Sequence, residues 1–171
     1  MTMTDPGLPE LPPLLPHRLE MERILDAPRP LVWAAWTRPE MRIHWMGPVE
    51  WPMRTGTNDL RVGGLWRACL GSATTDEVLW QGGMYREVIA PERLVFTFRW
   101  DESHEDGPPA DTLVTVVLHE LSDGRTRMVF IHEGLKSDRS LEGHTHGWTS
   151  TFGRLQDWLT ARLAETTSLR E

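Results

Sequence analysis

The first regular pattern in the chain starts at Leu19. Leu19, Met21, Arg23 and Leu25 alternate with Glu20, Glu22 and Ile24, an imperfect period of two that predicts a first strand. Asp26-Ala27-Pro28 ends it, and the period then changes. Pro30 suits a first helical position, where its missing N–H removes nothing, and Val32, Trp33 and Trp36 fall on one helical face. Thr37 and Glu40 have the spacing of a capping box around Pro39. A second short helix is predicted there, with Met41 and Trp45 one turn apart and Gly47-Pro48 as its stop.

From Val49 to Gly134 the pattern is of strands and turns. Leu60 to Gly64 reads as a strand running into a turn, and Leu65 to Gly71 follows. Val78 to Ile89 is a long strand with Gly82-Gly83 as a bulge or bend inside it. After the turn at Ala90-Pro91-Glu92, Leu94, Phe96, Phe98 and Trp100 alternate with Val95, Thr97, Arg99 and Asp101. An acidic loop follows, carrying Asp101, Glu102, Glu105, Asp106 and Asp111. Leu113 to Leu121 and Arg125 to Glu133 are joined by Asp123-Gly124, a strong hairpin signal. The last element is helical: Trp148, Phe152, Leu155, Leu159 and Leu163 make one apolar stripe, and Gly153 within it points to close approach of a strand or ligand. His144 and His146 are expected in the polar segment before that helix.

The proline-rich residues 1–17 read as a tail, 18–166 as a single domain and 167–171 as a short C-terminal tail. The length, 171 residues, fits one domain. The net charge of -7, with no basic cluster, argues against nucleic acid as a partner. Cys69 is the single cysteine, so no disulfide forms within the chain. No apolar run approaches the roughly 18 residues of a membrane span, and Met1 to Pro16 lacks the features of a signal peptide. A cytoplasmic location is expected. Nine tryptophans in one small domain point to a wide core or a lined cavity.

The order is thus strand, two short helices, a run of about six antiparallel strands and one long helix. Several segments carry a resemblance: Asp26-Ala27-Pro28 with Val32 to Thr37 and Pro39-Glu40, Trp45 to Pro48, Arg61 to Arg67, Pro91 to Thr97, Thr126 to Glu133, and Gly147-Trp148. Through them the chain resembles the START-like superfamily, and within it the group named after the activator of the heat-shock-protein-90 ATPase. The resemblance covers roughly Leu19 to Leu163. It implies an α+β helix-grip fold: a curved antiparallel sheet of six or seven strands wrapped around the C-terminal helix, with two short helices after the first strand. It carries over no catalytic set.

Such a fold leaves space between sheet and helix for a small hydrophobic or amphipathic molecule. Strand parity nominates Phe96, Phe98 and Trp100, with Leu94, on one strand; Val116, with Val114 and Leu118, on the next; and Met128, Phe130 and His132 on the last. Trp66, Trp80 and Tyr85 are expected to face inward, and Trp148 and Phe152 to close the space from the helix. The same alternation also describes a solid core. His132 reads either as a pocket group fixing a ligand oxygen or as a hydrogen-bonded core residue. His144 and His146, with His132 or Glu142 as a third ligand, form a weak metal pattern, and neither a metal nor a cofactor is expected. Cys69 reads as a buried structural thiol. Tyr85, Glu87 and Arg99 could converge as a buried acid–base group, as a cyclase- or hydrolase-like cavity enzyme requires, or be surface polarity. Two protein partners complete the expectations: a second copy through exposed Trp45 or Trp51, and, by the family resemblance, a stress-related chaperone.

Overall fold

The computed structural model describes residues 17–103 and 107–170. Nearly all of the N-terminal tail, with Glu105 and Asp106 of the acidic loop, lies outside the described residues.

Seven strands form one antiparallel sheet: β1 (Leu19–Leu25), β2 (Met53–Asn58), β3 (Leu65–Gly71), β4 (Val78–Ile89), β5 (Arg93–Trp100), β6 (Thr112–Glu120) and β7 (Thr126–Glu133). The spatial order is β1-β7-β6-β5-β4-β3-β2. Strands β2 to β7 follow one another in both sequence and space. β1 joins the far edge because α1 (Arg29–Thr37) and α2 (Pro39–Arg42) carry the chain from one edge of the sheet to the other. The long helix α3 (Asp138–Ser168) packs on the same face. It buries Trp148, Thr151, Phe152, Leu155 and Leu159, which fall on one helical face, as a helix with one buried stripe must.

Rings fill the centre of the sandwich. Trp36 meets Trp45 edge-on with centroids 4.9 Å apart, stacks on Phe130 at 6.2 Å and touches Phe152 at 6.1 Å. Such contacts add to the apolar area that the rings already bury. Tyr85, Val116, Met128, Phe130 and Phe152 are almost wholly buried.

Several local expectations are corrected. The second strand is Met53–Asn58, while 60–64 form the turn after it, with Gly63 at a φ of 82°. Thr37 makes no capping box: its hydroxyl donates back to the Trp33 carbonyl, and the N-cap of α2 is Arg38. The last helix begins at Asp138, capped by the Ser137 side chain, so His144 and His146 lie within it. Gly153 is exposed, and an added Cβ there would meet nothing within 4 Å, so no close approach explains it. Trp45 is not a surface residue; it is fully buried and donates its indole N–H to the Ala35 carbonyl.

β4 breaks its regularity twice. At Gly83 an added Cβ would strike the Thr97 carbonyl oxygen, and the next amide, Met84, is taken by the Thr97 hydroxyl. Between Tyr85 and Glu87 the register with β5 shifts by one residue. A residue inserted on one strand turns the following side chains to the opposite face. Tyr85 therefore points inward, whereas Glu87 pairs with Arg93 on the other side.

Candidate functional site

An open space lies between the first half of α3, the segment from Met46 to Trp51 and strands β3 to β5. It measures about 720 Å³. Leu70, Leu79, Phe98 and Trp100 form its floor, and Met46, Pro48 and Trp51 one wall. On the helix side stand Gly143, Gly147 and Trp148, with Glu50, Arg139 and His146 also around the space.

Two local features keep it open. Gly143 and Gly147 are one helical turn apart, both line the cleft, and a Cβ on either would meet nothing within 4 Å. Glycine inside a helix costs about 1 kcal/mol relative to alanine, and here that cost coincides with free space rather than with packing. The opposite wall is tied to α3. Arg154 donates through Nη1 to the carbonyls of Met46 (3.0 Å) and Gly47 (2.7 Å), and Val49 N–H reaches the Ser150 hydroxyl at 3.0 Å. Gly47 holds a φ of 87°, and an added Cβ would press on the Trp51 carbonyl oxygen.

Behind the apolar floor runs a polar chain. Trp148 donates its indole N–H to His132 Nδ1 at 3.1 Å, so Nε2 carries the proton of this histidine. Nε2 then donates to the Thr112 hydroxyl at 2.7 Å, which donates to the Phe98 carbonyl at 2.8 Å. Burial, reinforced by nearby His144, pushes the His132 pKa down to about 3, so the ring is neutral. Of its two sequence readings, the structure matches the hydrogen-bonded core residue, since both ring nitrogens are used internally. His144 Nδ1 faces the Ser140 carbonyl at 2.8 Å and therefore donates, leaving Nε2 to accept from the Trp100 indole at 3.2 Å.

A second space adjoins the cleft across Met46, Gln81, Phe98 and Trp148, which line both. It is a small chamber of about 10 Å³ under Trp36, Trp66 and Tyr85. Arg42 lines it and is 4% exposed. Its guanidinium lies 5.7 Å from the Trp66 ring centre and reaches the Arg67 carbonyl at 3.4 Å, while the Tyr85 phenol, which lines the same space, accepts from the Asn58 amide at 3.1 Å. No carboxylate pairs with Arg42 among the described residues, and its Nε–H has no partner. Burial lowers its pKa and raises that of the Tyr85 phenol.

One family model spans residues 26–160, and its description reads activator of Hsp90 ATPase homolog 1-like protein. The chain belongs to that family. A member protein from Silicibacter pomeroyi has a crystal structure that shares the fold, with a TM-score of 0.72 over 85% of this chain and 99% of that one at 21% identity. Crystal structures of proteins from Nitrosomonas europaea and Chromobacterium violaceum are similar at 25% and 26% identity, each with a TM-score of 0.73. They cover 90% and 85% of this chain and 99% and 98% of their own. None of the curated proteins matches the chain. Family membership accounts for the helix-grip architecture and assigns no chemistry to the cleft.

Against this geometry the nominated residues separate into groups. Phe98, Trp100 and Trp148 line the cleft, and Trp66, Tyr85 and Phe96 line the chamber. Val116, Met128, Phe130, His132 and Phe152 lie in the packed interior. Trp80 does not face inward. Its neighbours Leu79 and Gln81 do, so parity sends Trp80 to the outer face, where it is 37% exposed and lies 5.2 Å from the Arg67 guanidinium. Tyr85, Glu87 and Arg99 do not converge either: the sheet separates Tyr85 from Glu87, and Arg99 pairs with Asp111 at 3.0 Å. His144 and His146, two residues apart on a helix, point about 200° apart. Among the described residues no cluster of three or more ligating side chains is arranged to hold a metal. No described helix is long and apolar enough to cross a membrane. Cys69 is buried and free.

The sequence reading missed Arg42, Gln81 and the Gly143–Gly147 pair. Gln81 carried a usable signal, a polar amide at an inward position two residues from Leu79. Arg42 carried none, because it falls between Met41 and Trp45 on a helix too short to show a face.

Proposed function

We propose that the protein binds a small hydrophobic or amphipathic molecule in the cleft between α3 and strands β3 to β5, in the cytoplasm. The observation that carries this reading is the open volume of about 720 Å³ floored by Leu70, Leu79, Phe98 and Trp100. An apolar, concave space of this size with few polar groups is the usual form of a small-molecule site. The two glycines on α3 support it, since each keeps a side chain out of that space.

The test uses the neutral dye N-phenyl-1-naphthylamine. Fluorescence enhancement that saturates with one dye per chain, with an affinity that falls several-fold when Gly147 is replaced by Leu, is the expected result. A dye response unaltered by Gly147→Leu removes the cleft as the binding site. A cavity enzyme needs polar groups converging on one reacting atom, and the separation of Tyr85, Glu87 and Arg99 gives that alternative no support. A stress-related chaperone partnership has only the family description behind it, so the ligand reading is preferred.

A further inference from the structure

The chamber behind the cleft has an unusual inventory. Arg42 is charged at every accessible pH, is 4% exposed and has no carboxylate partner among the described residues. A buried cation without a counter-charge is destabilising. Two groups that line this one space carry buried N–H donors without an acceptor among the described residues. Arg42 Nε and Trp36 Nε1 are both buried and unpartnered. The Gln81 side chain, 3% exposed, makes no hydrogen bond among the described residues and lines both chamber and cleft. Buried donors are almost always satisfied in folded proteins, so two around one chamber, one of them on an unpaired cation, mark a place for an acceptor.

We propose that the cleft ligand carries a carboxylate, and that this group enters the chamber past Gln81 and is received by the Arg42 guanidinium. The inference rests on the cleft being the ligand site and names the chemical class that it takes, an apolar body ending in a monocarboxylate. Size selects the group. The chamber holds about 10 Å³, room for roughly one oxygen. A flat carboxylate can present one oxygen there with its second toward Gln81; a tetrahedral phosphate or sulfonate is too thick. Charge selects it as well. A neutral hydroxyl accepts a hydrogen bond but leaves the Arg42 charge uncompensated, and an ammonium group is repelled.

The experiment compares three twelve-carbon probes, dodecanoate, dodecan-1-ol and dodecylamine, in displacing N-phenyl-1-naphthylamine from the whole chain. Dodecanoate is expected to displace the dye at a concentration about tenfold or more below that of the alcohol, as befits a buried charge-assisted hydrogen bond. The amine is expected to be the weakest. Arg42→Met brings dodecanoate to the level of the alcohol, while the dye still binds. A second readout needs no variant: in protein labelled with ¹⁵N-arginine, the Arg42 Nε–H resonance shifts with dodecanoate and stays in place with dodecan-1-ol. Equal displacement by acid and alcohol, with normal dye binding, overturns the carboxylate inference and leaves the cleft reading intact; a single buried water would then satisfy the donors. A preference for the acid that survives Arg42→Met overturns it too, placing the anion at the rim near Arg139. Failure of the dye and all three probes to bind overturns the cleft reading and this inference together.

Discussion

His132 has no exposed surface and holds its ring between Trp148 and Thr112. Its folded pKa, about 3, lies below the 6.5 of a free histidine. Between those values the unfolded chain binds a proton that the folded protein does not. Stability is therefore full above pH 6.5 and falls as the pH drops toward 3, by a few kcal/mol from this group alone. Urea unfolding at pH 7 and pH 4 measures the drop, which is expected to be shallower in His132→Phe although that variant starts less stable. Trp148→Phe leaves His132 Nδ1 without its donor and is expected to cost about 1–3 kcal/mol at pH 7 by the same unfolding measurement. The inward position of His132 was legible from its spacing to Met128 and Phe130. Its partners were not, because Thr112, His132 and Trp148 meet only once β6, β7 and α3 are packed together.

Within α3, stability and binding pull in opposite directions. Gly143→Leu and Gly147→Leu put side chains into free space and raise helix propensity, so each variant is expected to unfold with about 0.5–1 kcal/mol more stability. The same side chains occupy the cleft, and dye affinity is expected to fall several-fold. Thermal melts and dye titrations on one preparation check both directions; a variant that is stabilised and still binds dye normally separates these glycines from the site. The apolar stripe from Trp148 to Leu163 made the second half of α3 evident, whereas its first half is polar and glycine-bearing and shows no such stripe. Ser137 supplies the start by capping the Ser140 amide. Element β4 gives the complementary lesson. Its extent from Val78 to Ile89 followed from composition, but the extra residue between Tyr85 and Glu87 reversed the parity beyond it, and with it the expected grouping with Arg99.

Across the molecule, the cleft depends on contacts between distant parts of the chain. Arg154 ties α3 to the carbonyls of Met46 and Gly47, more than 100 residues away in sequence. Burial lowers the Arg154 pKa without discharging the guanidinium. Arg154→Met removes these bonds while keeping most of the side chain's length. It is expected to destabilise the fold by about 1–3 kcal/mol and to weaken dye binding by freeing the wall that holds Trp51. Hydrogen exchange should locate the change: faster exchange confined to residues 46–51 and the start of α3 is the expected pattern, and an unchanged 46–51 segment would show that other contacts hold the wall.

The linear order of residues carried the architecture, because hairpin signals, strand alternation and the stripe on α3 are local in the chain. Asp123-Gly124 between two apolar strands and the alternation from Leu94 to Trp100 need no distant partner to be read. The cleft and its buried arginine arose only on folding. A cavity is a mismatch between surfaces far apart in sequence, here α3 against β3 to β5, and the burial of Arg42 follows from what Trp66, Tyr85 and Trp36 place around it. Neither leaves a periodic trace, so packing alone decided where this protein keeps open space and where it buries a guanidinium.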